Sequence, residues 1–164
     1  MSGKFNKSQQ ALYEIVLEAN KQAIERCRVG ALFNEPHQRA LEIMVQGLVD
    51  LKLLSGSVDG IIESESYRDF CPHNTSHWLG SDVHDVGDYR VDGAWRPFAA
   101  GMVLTIEPGI YIPRDASSEH LANRWRGIGV RIEDDVLITA KDPEVLTDAA
   151  PKEIAEVEAL VGAQ

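Results

Sequence analysis

The sequence is poor in cysteine, with only Cys27 and Cys71 among its 164 residues. The two do not form a CxxC pair: Cys27 falls within a helical pattern, and Cys71 lies beside a group of histidines. Small domains that depend on disulfides carry more cysteines, and thiols inside cells are kept reduced. We therefore expect no structural disulfide.

Positive charge is also scarce. Sixteen Lys and Arg residues stand against 26 Asp and Glu residues, which gives a formal net charge of -10. Proteins that bind nucleic acid or anionic lipid normally present a basic surface to the phosphates. The charge balance thus argues against nucleic acid and against a membrane surface as partners.

Long apolar runs are absent as well. No run approaches the roughly 20 residues that a membrane-spanning helix needs, and the first ten residues, MSGKFNKSQQ, contain no hydrophobic region of the secretory type. We expect a cytoplasmic protein. The length fits one domain, and no internal repeat or linker divides residues 1–164.

Two helices are predicted at the start of the chain. Apolar residues at spacings of three and four predict an amphipathic helix from Asn6 to Arg28, with a capping box between Asn6 and Gln9 and a stop at Gly30. A second helical pattern begins near Pro36, which suits a first turn, and ends at the SGS stretch of residues 55–57.

The sequence that follows is typical of β-strands. The stretches GMVLTIEPGIYI (101–112) and GIGVRIEDDVLIT (127–139) are rich in β-branched residues and predict strands with turns. The polar segment 113–125 between them is expected to be a loop of the kind that borders a site. A closing helix fits PKEIAEVEALVG (151–162). The elements together predict an α+β fold.

Each of the two predicted β segments carries a carboxylate among hydrophobic residues. Alternation places Glu107 on the face of Val103 and Thr105, and Glu133 on the face of Arg131. An unpaired carboxylate in a core is costly, so two of them near a histidine favour a shared cation. A single strand glutamate is, however, most often on the solvated face, and this alternative stays open at this point.

Three of the five histidines lie within fifteen residues, HNTSHWLGSDVHDVG at 73–87. Each has an ordinary interpretation when taken alone. His77 can be a half-buried histidine bonded to a backbone carbonyl beside the core residue Trp78, while His84 and His73 can be turn and loop residues. Only the combination of the histidines with the two carboxylates is specific.

In this order, SHWLGSDVHDVG, TIEPGIY and GVRIEDDVLIT closely resemble the carboxy-terminal part of the catalytic domain of aminopeptidase P and the related Xaa-Pro dipeptidases. This family has the pita-bread fold that it shares with methionine aminopeptidase. The resemblance covers nearly the whole chain. It implies a partial pita-bread (creatinase/aminopeptidase) domain over residues 1–164, with a curved, mostly antiparallel sheet and helices on its outer face.

The resemblance also implies a metal site. The family's ligands in the SHWLG, EPG and RIED motifs correspond to His77, Glu107 and Glu133, and an arginine that supports them corresponds to Arg131. The family typically uses Mn or Co, and Zn also suits these ligands. We expect the three side chains to converge. Without a metal, one carboxyl should have a raised pKa, or Arg131 should serve as a substitute cation.

Catalytic roles follow from the same resemblance. In the family, two metals bridged by a hydroxide act on the carbonyl before proline, and Glu107 is implied to be the general base. His84 corresponds to a histidine that contacts the reacting amide and stabilises the tetrahedral intermediate. His73 corresponds to one that lines the substrate pocket. The resemblance thus assigns His84 and Glu107 to catalysis, and His73 and His84 to substrate binding.

The family pattern includes two further ligands that this sequence lacks. They are aspartates of a β-hairpin that precedes the segment matched by GKFNKSQQALYEIVLEA, where only Met1 and Ser2 stand. Asp82, Asp85 and Asp88 already have places in the histidine segment. We therefore expect a truncated domain that holds metal weakly and, alone, hydrolyses Xaa-Pro peptides very poorly or not at all.

Several functions remain compatible with these expectations. The chain can be an inactive or very weak relative of a proline-specific metallopeptidase, or an active one through an oligomer, a partner or a single metal. It can also be a non-catalytic peptide-binding or interaction module, or a metal-free hydrolase like creatinase, although the retained His-Glu-Glu set disfavours the last. The sheet edge left by the missing hairpin predicts a homo-oligomer or a chain supplying the missing half.

Overall fold

The computed structural model describes residues 3–114 and 122–162, which form an α+β fold. The helices are α1 (Lys7–Ile24), α2 (Glu35–Asp50), α3 (Val58–Glu63) and α4 (Ile154–Gly162), with a 3-10 turn at Ser66–Asp69. The strands are β1 (Arg90–Val91), β2 (Ala94–Trp95), β3 (Val103–Ile106), β4 (Gly109–Tyr111), β5 (Gly129–Arg131), β6 (Asp134–Leu137) and β7 (Glu144–Val145). Among the described helices, none combines the length and the apolar character needed to cross a membrane.

Helix α1 begins as predicted and ends earlier. The backbone N–H of Gln9 donates to Asn6 Oδ1 and that of Asn6 donates to Gln9 Oε1, both at 3.0 Å, which confirms the capping box. The helix ends at Ile24 because the next turn tightens: the N–H of Cys27 bonds the carbonyl three residues back. Gly30 has φ +88° and lies beyond the helix, where its N–H bonds the carbonyl of Phe98.

Helix α2 also starts as predicted, with Pro36 in its first turn, but it ends at Asp50 rather than at the SGS stretch. That stretch begins a further helix instead. The Ser57 side chain accepts a hydrogen bond from the N–H of Gly60 and caps the six-residue helix α3. A helix of this length contains too few turns for an apolar period to be visible in the sequence.

The two predicted strand segments each form a pair of short strands. All strand pairs among the described residues are antiparallel, β3 with β6, β6 with β7, β4 with β5, and β1 with β2. Ile106 lies opposite Asp134, and Gly109 lies opposite Arg131, so both pairs share one register. The ladder is interrupted between them, beside Pro108, which has no N–H to donate.

A third extended segment runs along the other side of β3. In this segment, residues 75–79, the carbonyl of His77 accepts from the N–H of Thr105 at 3.0 Å, and the carbonyl of Thr75 accepts from that of Glu107 at 2.7 Å. Strand β3 is therefore central, with residues 75–79 on one side and β6 on the other.

The helices cover the strands with α1 in the middle. Helix α1 contacts α2 as well as β3, β4 and β5, and it buries an apolar stripe made of Leu12, Val16, Ala19 and Ala23. The two helices approach closely at Gly47, where a Cβ would lie 2.6 Å from the Ile15 side chain. Cys27 and Cys71 are buried and free, as expected, and burial raises the pKa of each thiol to about 12.

The segment after β6 is held to the sheet by a buried ion pair. Asp134 is fully buried, and its Oδ1 accepts from Lys152 Nζ at 2.8 Å and from the Thr147 hydroxyl at 2.6 Å. The predicted closing helix follows and begins at Ile154. Most of the predicted 113–125 loop, residues 115–121, lies outside the described residues.

We predict that Lys152→Met lowers the free energy of unfolding by about 3 kcal/mol, because it leaves the Asp134 carboxylate buried without its cation. Lys21→Met is the matched control, since it breaks a pair with Glu153 in which both side chains are largely exposed, and we expect a loss below about 1 kcal/mol. Urea unfolding of both variants measures the difference. Equal losses would show that the Asp134 pair has no special weight.

Candidate metal centre

The three ligand-type side chains come together at the interruption of the ladder. One ligand atom from each of His77, Glu107 and Glu133 lies within 4.8 Å of the others. Each residue comes from a different extended segment: 75–79, the β3–β4 junction and the β5–β6 junction. The expected convergence is therefore observed, and it results from strand pairing between segments far apart in sequence.

Thr105 contacts two of these residues at once. Its hydroxyl donates to Glu107 Oε1 at 3.1 Å and accepts from the backbone N–H of His77, also at 3.1 Å. Glu107 is only 8% exposed, so an unsupported carboxylate there would be costly. The contact confirms that Thr105 and Glu107 share a face, as the alternation predicts.

His77 is held in the tautomer that a metal ligand requires. Its Nδ1 lies 2.9 Å from the carbonyl oxygen of Trp78, and its Nε2 lies 3.2 Å from Glu107 Oε1. A carbonyl can only accept, so we assign the proton to Nδ1, which leaves the lone pair on Nε2 directed at the carboxylates. The bond to a backbone carbonyl, the ordinary interpretation of this histidine, is thus present and compatible with ligation.

Glu133 lies opposite Glu107 across neighbouring strands. The shared register of the flanking pairs places the two residues directly opposite one another, and like charges in that position destabilise a sheet. The pKa of Glu133 is raised by partial burial of its carboxyl and further by the nearby Glu107 carboxylate. Arg131 acts in the opposite direction. The rest of Glu133 is exposed to solvent.

Arg131 supplies the cation expected beside the two carboxylates. Its Nη1 lies 3.5 Å from Glu107 Oε2, and its Nε donates to the Tyr111 hydroxyl at 2.8 Å. The hydroxyl lies 2.9 Å from His73 Nε2, and His73 Nδ1 lies 2.8 Å from the carbonyl of Asn74. The carbonyl fixes the proton on Nδ1, so Tyr111 donates to Nε2. A polar chain thus links Glu107 to His73.

Tyr111 was not among the predicted site residues. The alternation that placed Glu107 also puts Gly109 and Tyr111 on the same face, so the signal was available in the sequence. Gly109 leaves the space that the tyrosine occupies, since a Cβ there would lie 2.6 Å from the Tyr111 hydroxyl.

His84 lies at the exposed rim of the centre. Its ring is 4.5 Å from that of His77, edge to face. The loop that carries it is closed by Asp85, whose Oδ2 accepts from the N–H of Ser81 at 3.0 Å. Gly80 permits this closure, because a Cβ there would lie 1.7 Å from the same oxygen. Local loop packing therefore directs His84 toward the centre.

His37, in the first turn of α2, was also missed by the sequence analysis. Its Nδ1 lies 2.8 Å from the hydroxyl of Thr75, the residue whose carbonyl accepts from Glu107. Burial lowers the pKa of His37, and the charge of Arg68 lowers it further. The sequence gave no sign that His37 lies beside the centre, because α2 is remote in sequence from the segments that form it.

An open cavity of about 910 Å³ lies in front of the centre. One wall is aromatic, and the β1–β2 hairpin forms its rim. The hairpin turns through Asp92 and Gly93, both with positive φ, and the guanidinium of Arg90 stacks 4.1 Å from the centre of the Trp95 ring. The hairpin was not predicted, although its Asp-Gly pair is a strong turn signal. The cavity is lined by Phe33, Asn34, His37, His73, Asn74, Ser76, His77, His84, Gly87, Asp88, Tyr89, Arg90, Trp95, Glu107 and Arg131.

The donor set fits a divalent metal. One imidazole nitrogen and two carboxylates suit first-row divalent ions, and three protein ligands leave coordination positions open. The carboxylate pair supplies negative charge that a cation would neutralise. The hydroxyl of Thr105 and the carbonyl of Trp78 already orient two of the ligands, Glu107 and His77.

Comparison with known proteins identifies the family. Residues 1–140 match the family model of metallopeptidase family M24, and the chain therefore belongs to this family. It is 47% identical over 161 residues to the Xaa-Pro aminopeptidase of Haemophilus influenzae and 45% identical to that of Escherichia coli. Each match covers 98% of this chain and 36% of the relative.

Solved structures show the same fold. The Pseudomonas aeruginosa aminopeptidase PepP matches with a TM-score of 0.95 at 51% identity, and Escherichia coli aminopeptidase P with the inhibitor Pro-Leu matches with 0.90 at 45%. Both matches cover 98% of this chain and 36% of the other. The fold is thus the pita-bread fold of aminopeptidase P, and the chain spans about a third of the length of these relatives.

We predict that Glu133→Gln stabilises the metal-free protein near neutral pH. The folded state raises the pKa of this carboxyl above its unfolded value, so ionisation of Glu133 destabilises the folded state once the pH exceeds the folded pKa. The advantage of the variant should decline as the pH falls below that pKa and disappear once the pH is below the unfolded pKa, where both states are protonated. Thermal unfolding in chelator across this range measures the effect.

Glu156→Gln is the control, because it removes an exposed carboxylate on α4. The two substitutions change the net charge equally, so the control corrects for general electrostatics. A stabilisation by Glu133→Gln that matches the control, or that is independent of pH, would contradict the repulsion between the two carboxylates.

Proposed function

We propose that residues 1–164 belong to a pita-bread domain and carry part of the metal centre of an Xaa-Pro-hydrolysing metallopeptidase. The observation that carries this proposal is the convergence of His77, Glu107 and Glu133 within 4.8 Å, from three paired segments. The names of the relatives, Xaa-Pro aminopeptidases of two bacteria, support the class of substrate.

His77, Glu107 and Glu133 would hold a divalent metal, with Mn the first candidate and Co or Zn as alternatives. A metal bound in such a site polarises the substrate carbonyl and lowers the pKa of a bound water. Arg131, close to Glu107, would limit carboxylate repulsion while the site is empty. Its bond to Tyr111 keeps the guanidinium beside the carboxylates.

The remaining side chains act on the substrate and on protons. Glu107 is the proposed proton acceptor from the attacking water, and its bond from Thr105 orients it. His84, at the exposed rim, would donate to the reacting amide and stabilise the charge of the tetrahedral intermediate. His73 would form a pocket wall, fixed by Tyr111. The cavity is large enough for several residues of an Xaa-Pro peptide.

The three ligands fill only part of a tetrahedral or octahedral metal shell. We propose that further ligands, aspartates in the family pattern, come from a polypeptide segment outside these 164 residues that supplies the missing half. In a homo-oligomer, a second copy would have to offer other carboxylates in their place. The activity would be cytoplasmic, with neither nucleic acid nor membrane as partner. For residues 1–164 alone, we propose that peptide hydrolysis is very weak or absent.

We predict that the chain binds Co²⁺ and that Glu107→Gln weakens this binding by more than about a hundredfold, beyond the effect of losing a supporting residue. Glu144→Gln, on strand β7, removes the same charge from an exposed position and should bind like the unaltered chain. The visible absorption of bound Co²⁺ measures both affinities. Equal binding by the two variants would place the metal elsewhere.

We predict that the chain with saturating Mn²⁺ hydrolyses an Xaa-Pro peptide about a hundredfold more slowly than a chimera carrying the family's two-aspartate hairpin at the amino terminus. A nucleophile misplaced by about 1 Å can cost that factor. Glu133→Ala should abolish the turnover of the chimera. Metal-dependent turnover by the unaltered chain equal to that of the chimera would show that its own ligands suffice.

The same assay separates the peptidase from the non-catalytic alternative. If the chimera binds Mn²⁺ and an Xaa-Pro peptide but has no turnover, the domain is a peptide-binding module. Isothermal titration with a proline-containing peptide provides the binding measurement.

A further inference from the structure

We propose that Asn20 is a positioning residue that holds the Glu107 and Glu133 carboxylates at their separation. It lies outside every motif singled out in the sequence and touches neither carboxylate. The proposal rests on the metal centre proposed above, because it concerns the geometry of that centre.

The Asn20 amide reaches the backbone directly behind both glutamates. The side chain, on α1, is 1% exposed, and its Nδ2 donates to the carbonyl of Ile106 at 3.1 Å. The same nitrogen lies 3.5 Å from the carbonyl of Ile132, a longer and weaker contact. Ile106 directly precedes Glu107, and Ile132 directly precedes Glu133, so one amide group joins the two strands where the carboxylates leave them.

A proline creates the need for this amide. The N–H of Ile132 donates to the carbonyl of Pro108 at 3.4 Å, but Pro108 has no N–H with which to return the bond. The carbonyl of Ile132 therefore lacks its ladder donor, and Asn20 Nδ2 is the N–H that approaches it. A side chain from the helix thus replaces a missing strand-to-strand bond.

The bond from Asn20 matters because the two glutamates beside it carry like charges. Two carboxylates that face each other at an interrupted ladder repel, and few backbone bonds oppose their separation there. Asn20 joins the two strands at that level, while Thr105 and Arg131 act on the carboxylates themselves. The amide therefore adds to the single backbone bond between Ile132 and Pro108 in opposing separation of the strands at this level.

Helix packing alone does not account for an asparagine at this position. Its neighbours on the buried face of α1, Val16, Ala19 and Ala23, are all apolar. The Oδ1 of Asn20 is buried without a hydrogen-bond partner among the described residues, which is unfavourable. An apolar side chain of the same size would avoid that cost but would leave the carbonyl of Ile132 without a donor, so the use of the amide here lies in its N–H.

Asn20→Leu tests this role, because leucine has a similar volume and no N–H. We expect the dissociation constant for Co²⁺ to rise about tenfold to a hundredfold, the usual effect of losing a residue that orients a ligand. Val16→Ala, one turn away on the same face, is the control: it weakens packing of α1, keeps the Asn20 amide and should leave the Co²⁺ affinity unchanged. Unchanged affinity in Asn20→Leu, or an equal loss in both variants, would overturn the proposal.

A second measurement does not depend on metal. In metal-free protein, Asn20→Leu should shift the ¹³C carbonyl resonances of Ile106 and Ile132 and change the backbone dipolar couplings of Glu107 and Glu133, whereas Val16→Ala should not. If the unaltered chain binds no Co²⁺, the metal centre fails and these resonances alone decide the role of Asn20. Unshifted resonances would overturn it. Asn20→Ala, which removes the same N–H, replaces the leucine variant if that variant does not fold.

Discussion

Two like charges held opposite one another on neighbouring strands are the constraint around which this part of the molecule is arranged. Glu107 and Glu133 repel across an interrupted ladder, and a fold selected for stability alone would not retain them. The hydroxyl of Thr105 and the guanidinium of Arg131 lie at hydrogen-bonding or ion-pairing distance from Glu107. Together they place a hydrogen-bond donor and a positive charge where a bound metal would supply further positive charge.

The parts of the fold that depend on local chemistry could be predicted from the sequence. The capping box at Asn6 and the proline in the first turn of α2 are local signals, and both helices start where these signals place them. Strand alternation correctly put Thr105 and Glu107 on one face. The ends of the helices, the short α3 and the division of each strand into two could not be read in this way, because they depend on tertiary bonds to remote carbonyls and on the missing N–H of Pro108.

The residues of the site also divide into those that the sequence could predict and those that it could not. The motifs identified the three residues that converge, and the alternation that placed Glu107 could also have found Tyr111. His37 and Asn20 could not be found, because each reaches the site from a helix that packs against the strands, through contacts 38 and 86 residues apart in the chain. Contacts of this kind depend on how α1 and α2 pack, and the periodicity of either helix says only which side is buried.

The shared register on both sides of the interrupted ladder has a consequence for how such a protein can change over time. Because β4 pairs with β5 in the register of β3 with β6, the alignment of the facing carboxylates is independent of the connection between β4 and β5. Insertions and deletions in that connection leave the pair opposite one another, so its length is free to diverge among descendants. A single residue inserted at Pro108 would instead turn the side chains of β4 to the opposite face of the sheet. Insertions and deletions at that position should therefore be selected against.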